Sequence, residues 1–193
     1  MNKRIVIADD EPITRMDLRE MLETAGYSVV GEASDGFDAI ELCRKHKPDL
    51  ILMDIKMPLL DGINACKRIN EDELCDSIIL LTAYSDKTFI DRAKEVGVIG
   101  YLVKPIDDRA LLPALEIALS KGKEFKNVKK EAKTANDKLE ARKVIEKAKG
   151  IIMKERNTDE EKAYSYLREL SMNKRTSMKE ISEIIIMSSD TEM

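Results

Sequence analysis

Four apolar runs in the first half of the chain end on side chains that can do chemistry. Asp9, Asp10 and Glu11 follow Lys3–Ala8, and Asp54 follows Asp49–Met53. Thr82 follows Ser77–Leu81, and Lys104-Pro105 follows Ile99–Val103. If these runs are parallel strands of one sheet, carboxylates, a hydroxyl and an ammonium meet at one edge. Crowded carboxylates repel one another unless a cation sits among them. A hard ion held by a few carboxylates and a carbonyl, and keeping some of its waters, is Mg²⁺. A carboxylate beside Mg²⁺ and a lysine can accept a phosphoryl group, because that transfer needs mainly positioning and charge neutralisation. No glycine-rich phosphate cradle is present, which argues against a bound nucleotide. Helix capping alone accounts for Asp9 or Asp10 singly. It does not account for Asp54, followed by Met57-Pro58, together with Lys104.

The strands and helices that must position these groups are legible from periodicity. Lys3–Ala8, Ser28–Gly31, Asp49–Met53, Ser77–Leu81 and Ile99–Val103 read as strands. Residues 12–25, 36–46, 62–73 and 87–96 carry apolar residues at three- and four-residue spacing, the helical period. Thr88-Phe89-Ile90-Asp91 and Asp107-Asp108 supply helix-start chemistry. Alternating units of this kind predict an α/β, flavodoxin-like, doubly wound five-stranded parallel sheet of order 2-1-3-4-5 over residues 1–120. In that architecture ligands bind beyond the carboxyl ends of the strands, where the candidate groups stand.

From Asp107 no strand pattern returns. Leu111, Ala118, Phe125, Ala132 and Leu139 are spaced by seven, and Ala114, Lys121, Val128, Ala135 and Arg142 fill the complementary seam. This predicts a long helix over 107–140 that could pair two copies as a coiled-coil homodimer, although Gly122 and the polar seam positions weaken it. A solvated linker helix is the plainer reading of the same stripe. Beyond it, 140–188 reads as a small all-α three-helix domain. Its helices begin near Glu140, after Thr158-Asp159-Glu160-Glu161, and after Ser177-Met178-Lys179-Glu180, the last two being capping boxes. Residues 189–193 read as a flexible tail.

Composition narrows the rest. The chain has 193 residues, of which 43% are hydrophobic and 36% charged, which suits a folded core rather than a disordered tail. Trp is absent and His46 is the single histidine, which argues against a Ser-His-Asp triad, a His-rich zinc site or a phosphohistidine relay within the chain. Cys43, Cys66 and Cys75 show no CxxC spacing, and an odd count argues against a disulfide framework. No apolar run approaches the roughly 18–20 residues of a bilayer span. A reduced, cytoplasmic protein with no membrane partner and no small-molecule substrate is expected. Residues 1–120 hold 15 Lys+Arg against 23 Asp+Glu, whereas residues 121–193 hold 18 against 14. That asymmetry suggests two modules with different partners.

Asp9-Asp10-Glu11, Met53-Asp54-Ile55-Lys56-Met57-Pro58-Leu59-Leu60-Asp61-Gly62, Thr82-Ala83 and Lys104-Pro105, in this order, resemble the receiver domain of bacterial two-component response regulators. The resemblance implies that Asp54 is phosphorylated by a cognate sensor histidine kinase, so the donor histidine belongs to another protein. It further implies that Asp10, Asp54 and the Lys56 carbonyl ligate Mg²⁺ with help from Asp9, and that Lys104 neutralises the phosphoryl group. Thr82 would turn its hydroxyl to a phosphoryl oxygen, Tyr101 would be the aromatic switch, and Lys104–Pro105 would be cis. The tail is similar to an ANTAR domain, an RNA-binding antiterminator module. Ile145-Glu146-Lys147-Ala148-Lys149-Gly150-Ile151-Ile152-Met153, Ala163, Leu167-Arg168 and Met172 carry that likeness. Over its whole length the chain is similar to antiterminator regulators of the ethanolamine-utilisation type, with Ser171 where Ala is expected.

Lys143, Lys147, Gly150 and Lys154 share one helix face, with Arg142 and Lys149 on the next row. A cationic stripe interrupted by Gly150 would let a phosphate backbone approach closely, unless Gly150 serves tight helix packing. Arg168 and Asn173-Lys174-Arg175 complete the candidate RNA face, the last three as a second anion site at a helix start. The expected partner is structured RNA, tandem hairpins overlapping a terminator. Three other readings stay open at this stage: a DNA-binding regulator, a Mg²⁺-dependent phosphohydrolase using Asp54, and a receiver with a structural coiled coil only.

Overall fold

The computed structural model describes residues 2–83 and 96–190. Packing divides the chain into two compact units, Met1–Asn127 and Val128–Met193.

In the first unit β1 (Arg4–Ala8), α1 (Pro12–Thr24), β2 (Ser28–Ala33), α2 (Gly36–His46), β3 (Leu50–Asp54), α3 (Gly62–Glu71), β4 (Ile78–Thr82) and β5 (Gly100–Val103) follow in order. The strands form one parallel sheet of order β2-β1-β3-β4-β5, as expected. Successive side chains of a strand point to opposite faces, so each apolar run serves two cores. Val6, Ala8, Ile51, Met53, Ile78 and Leu80 pack with α2 and α3 residues such as Ile40, Cys43, Ile63 and Cys66. Ile5, Ile7, Leu50, Leu52, Ile79 and Leu81 pack with Leu18 and Leu22 of α1 and with Leu111, Leu115 and Ala118. β5 is an edge strand, so Tyr101 and Val103 remain exposed although their run is continuously apolar. The expected helix over 87–96 lies outside the described residues except for Val96.

The next helix, α4 (Asp108–Arg156), starts under Asp107, whose carboxylate accepts from the Ala110 amide at 2.9 Å. It does not stop near residue 140. The Lys-, Glu- and Ala-rich stretch 123–143 contains neither proline nor glycine, so no helix breaker interrupts it there. The paired-helix seam also needs correcting. Leu111 and Ala118 are 0% and 1% exposed in the receiver-side core and cannot face a second copy. Gly122 is a packing residue. A Cβ there would stand 2.0 Å from Ser77 Oγ and 2.6 Å from the Asp76 carbonyl, so α4 lies against the turn before β4. Ser77 Oγ donates to the Ala118 carbonyl at 2.9 Å, and Lys126 Nζ holds both Asp76 carboxylate oxygens at 2.8 and 2.9 Å. Every residue from 123 to 140 is exposed, including Phe125, Val128 and Leu139.

In the second unit the end of α4 is joined by α5 (Glu160–Lys174) and α6 (Met178–Asp190) around Ala148, Ile152, Ala163, Leu167 and Ile181. Asp159, not Thr158, caps α5, accepting from the Lys162 amide at 2.8 Å. The second expected box is present: Glu180 N donates to Ser177 Oγ at 3.2 Å, and Ser177 N donates to the Glu180 carboxylate at 3.0 Å. Ser189 and Asp190, expected in a flexible tail, belong to α6, where Ser189 Oγ donates to the Ile186 carbonyl at 3.0 Å. Among the described residues no helix is long and apolar enough to cross a membrane.

Candidate functional site

At the carboxyl edge of the sheet the strand ends deliver the groups singled out above. Asp54 ends β3 and Thr82 ends β4, each 6% exposed, while Asp9 is fully buried just past β1. Carboxylate oxygens of Asp9, Asp10 and Asp54 lie within 4.8 Å of one another. Lys104 Nζ stands 2.7 Å from Asp9 Oδ2 and 3.4 Å from Asp54 Oδ2, and the Lys104 amide donates to the Thr82 carbonyl at 2.8 Å. Asp10, Glu11, Asp54, Ile55, Lys56, Thr82, Ala83 and Lys104 line a cleft of about 230 Å³. The Lys104–Pro105 peptide is cis.

Electrostatics here are set by burial. Loss of water pushes the Asp54 carboxyl up to about 6, with Lys104 opposing the rise and the Asp9 charge adding to it. Burial disfavours the Lys104 ammonium, but its contacts with Asp9 and Asp54 outweigh that and hold its pKa above the ordinary lysine value. Asp9 Oδ1 accepts from the Glu11 amide at 3.0 Å. Asp9 Oδ2 is buried beside Lys104 Nζ and, among the described residues, is left without a satisfied hydrogen bond. A buried carboxylate oxygen short of a donor, close to two more carboxylates, suits a small divalent cation, so the residues present fit Mg²⁺.

Two supporting residues were given no role from sequence. A Cβ on Gly62 would fall 1.9 Å from the Asp54 carbonyl, so only glycine lets the start of α3 lie against the end of β3. Its sequence signal is its place at the end of the receiver-like motif, after Asp61, which caps α3 by accepting from the Asn64 amide at 2.9 Å. Arg15 donates to the Asp9 carbonyl at 2.6 Å, a contact no spacing rule reveals. Thr82 pairs with Val103 and Leu80 with Tyr101. Partners in a parallel ladder point to the same face, so Thr82 and Tyr101 share one, and Tyr101 is 45% exposed.

In the second unit Arg142, Lys143, Lys147, Gly150 and Lys154 are all exposed along α4. A Cβ on Gly150 would meet nothing within 4 Å, so tight helix packing is not the reason for a glycine there. Lys149 is drawn away from this stripe: its side chain is 7% exposed and its ammonium holds Glu146 at 2.8 Å and Glu160 at 2.7 Å. The hydrogen bonds that Lys149 donates to those two carboxylates raise its pKa. Arg168, Asn173, Lys174 and Arg175 are exposed. Asn173 and Lys174 end α5, however, and Arg175 is its left-handed cap with φ of 52°. The N-terminus of α6 is already served by the Glu180 carboxylate, which corrects its reading as an open anion site.

Comparison with known proteins agrees with this arrangement. Residues 5–116 match the family profile of the response regulator receiver domain, and residues 133–186 match that of the ANTAR domain. The transcriptional regulatory protein PdtaR of Mycobacterium tuberculosis is 41% identical over 184 residues, covering 95% of this chain and 89% of PdtaR. The chemotaxis protein CheY of Thermotoga maritima is 36% identical over 115 residues, 60% of this chain and 96% of CheY. The receiver domain of a modulated diguanylate cyclase from Desulfovibrio desulfuricans superposes with a TM-score of 0.60 at 31% identity, over 65% of this chain and 99% of that one. The receiver domain of the sensor histidine kinase PA1611 from Pseudomonas aeruginosa, solved with a magnesium ion coordinated in its active-site cleft, gives 0.56 at 27% identity, over 62% and 99%. The chain therefore belongs to the response-regulator family, a receiver domain followed by an RNA-binding ANTAR domain, built as a transcriptional regulator and not as a turnover enzyme.

Proposed function

We propose that this chain is a phosphorylation-activated antiterminator. A cognate sensor histidine kinase phosphorylates Asp54 in the receiver (1–120), and two activated chains pair along the 107–140 helix. Their ANTAR modules (140–188) then hold tandem RNA hairpins that overlap a terminator, preventing termination. The observation that carries this reading is the meeting of Asp54, Asp9, Asp10, Thr82 and Lys104 around one open cleft.

Asp9, Asp10 and Asp54, with the Lys56 carbonyl, would hold Mg²⁺. Bound there, the ion would neutralise charge on the phosphoryl oxygens. An Asp54 carboxylate oxygen attacks the phosphorus of the donor phosphohistidine; the P–N bond breaks, and its electron pair leaves on the imidazole, which takes up a proton. Lys104, already against Asp9 and Asp54, is placed to pair with a phosphoryl oxygen of the product. The new dianion then offers an acceptor to the Thr82 hydroxyl. Thr82 shares its face with Tyr101, so a shift at one is felt at the other, a two-state element biased by local charge.

The surface left for pairing is shorter than the heptad pattern alone implies. Phe125, Val128, Ala132, Ala135, Leu139 and Arg142 keep the three-four alternation on exposed helix. That is under the roughly three to four heptads a self-sufficient coiled coil uses. Pairing then depends on a further contribution from the receivers, where Asp54 exerts control. Two linked modules on two linked hairpins gain by effective concentration, on the order of a hundredfold. The test is hairpin affinity of the full chain with and without a small phosphodonor and Mg²⁺. Phosphorylation tightens binding at least tenfold in wild type and has no effect in Asp54→Ala; equal affinity in both states overturns the gating.

A further inference from the structure

From the α5 surface we infer that Tyr164 and Arg168 form a single-nucleotide site in which an unpaired RNA base stacks on the Tyr164 ring and Arg168 pairs with the phosphate of that nucleotide. The inference rests on the RNA-binding reading and adds to it the recognition of one base, separate from the phosphate contacts of the α4 stripe.

The two tyrosines of this unit stand in different environments. Tyr166 lies on the core side of α5, packed with Ala163, Leu167 and Leu170. Arg156 sits 3.9 Å from its ring centre and donates to its hydroxyl at 2.7 Å. Tyr166 is a structural residue. Tyr164 is not part of that core, is 46% exposed, and makes no hydrogen bond among the described residues. Tyr164 and Tyr166 are the only aromatic residues of this unit, so Tyr164 is the one ring that the module's described surface offers to a base.

Its neighbours on the helix surface suit a nucleotide. Residues four apart lie one above the other, about 6 Å apart. Arg168 is exposed one turn beyond Tyr164, and Met172, 69% exposed, follows one turn further. Among the described residues Arg168 has no carboxylate partner. An aromatic face beside an unpaired guanidinium matches a base and its own phosphate, and unstacked loop bases are what proteins read in RNA. Exposed Glu161, one turn before Tyr164, repels a second phosphate and limits the row to one nucleotide. A duplex offers no free base face, so the ligand is a loop or bulge nucleotide.

The test uses a tandem stem-loop RNA, selected from randomised loops on the full phosphorylated chain, with abasic substitution at each loop position in turn. Tyr164→Ala weakens binding about ten- to a hundredfold, the range of one lost base stack. Tyr164→Phe keeps affinity within about twofold. One abasic position weakens wild type equally and adds nothing further in Tyr164→Ala, which identifies the stacked base. Arg168→Gln lowers the slope of log affinity against log salt by about one, whereas Tyr164→Ala leaves the slope unchanged. An unchanged thermal midpoint for Tyr164→Ala separates a lost contact from lost folding. Wild-type affinity for Tyr164→Ala, with Lys147→Glu still weakened, overturns this site and spares the RNA reading. If no RNA can be selected, both fall.

Discussion

At the residue scale, Asp54 shows how one environment serves several ends. Burial raises its carboxyl to about 6, above the roughly 3.9 of an unfolded chain. In metal-free protein the folded state therefore binds more protons between those values, and stability falls as pH rises through them. The unfolding free energy from urea titrations falls from pH 4 to 7 by up to about 3 kcal/mol in wild type. In Asp54→Asn that component is absent; an unchanged profile would show that Asp54 is not its source. Added Mg²⁺ works in the opposite sense, stabilising the ionised carboxylates by about 1.4 kcal/mol at ten times its dissociation constant. The gain in melting temperature is larger at pH 7.5 than at pH 5 and disappears in Asp10→Ala. Gly62 supports the same site sterically. With a Cβ placed 1.9 Å from the Asp54 carbonyl, Gly62→Ala costs about 2–3 kcal/mol and displaces Asp54, so phosphodonor labelling falls with stability. Asp54, Lys104 and Asp10 were readable from sequence because they stand at strand ends. Gly62's duty and Arg15's bond to the Asp9 carbonyl were not, since both depend on how neighbouring segments approach in space.

At the scale of elements, α4 carries two glycines with opposite meanings. Both weaken a helix by about 1 kcal/mol relative to alanine. Gly122 is needed, because a Cβ would collide with Ser77 and Asp76; Gly150 faces open space. Gly122→Ala is expected to destabilise by about 2 kcal/mol in spite of its better propensity. Gly150→Ala should stabilise by about 0.5–1 kcal/mol and still weaken RNA binding. Thermal melts and hairpin titrations of both variants check this, and a stabilised Gly122→Ala would show that the α4 contact with the β4 turn yields easily. Sequence read Gly122 as a weak point of the heptad stripe and Gly150 as a gap in the cationic one. Only the packing told them apart. Lys149 makes the same point: the pattern sets it on the row beside Lys147, but its ammonium is held by Glu146 and Glu160. Lys147→Gln should flatten the salt dependence of RNA binding by about one contact, while Lys149→Gln should chiefly lower the melting temperature.

For the molecule as a whole, the acidic first half and basic second half correspond to the receiver domain with its acidic cleft and to the ANTAR domain. The proposed coupling between them is pairing of chains. Sedimentation of the full chain should show a shift from monomer towards dimer on adding phosphodonor and Mg²⁺. Phe125→Lys with Leu139→Lys, both on exposed helix, abolishes that shift and leaves the melting temperature unchanged. Dimers that persist in this variant would place the interface elsewhere. Sequence by itself determined the parallel sheet and its order, the strand-end residues and the two-module plan, because alternation, helical period and capping are local and repeat along the chain. Tertiary structure decided which half of the heptad stripe is free, which lysine is spent on a salt bridge and which tyrosine faces outward. Those outcomes turn on which surface of each helix is covered by a neighbour, and a periodic pattern marks a face as apolar or charged without saying what lies against it.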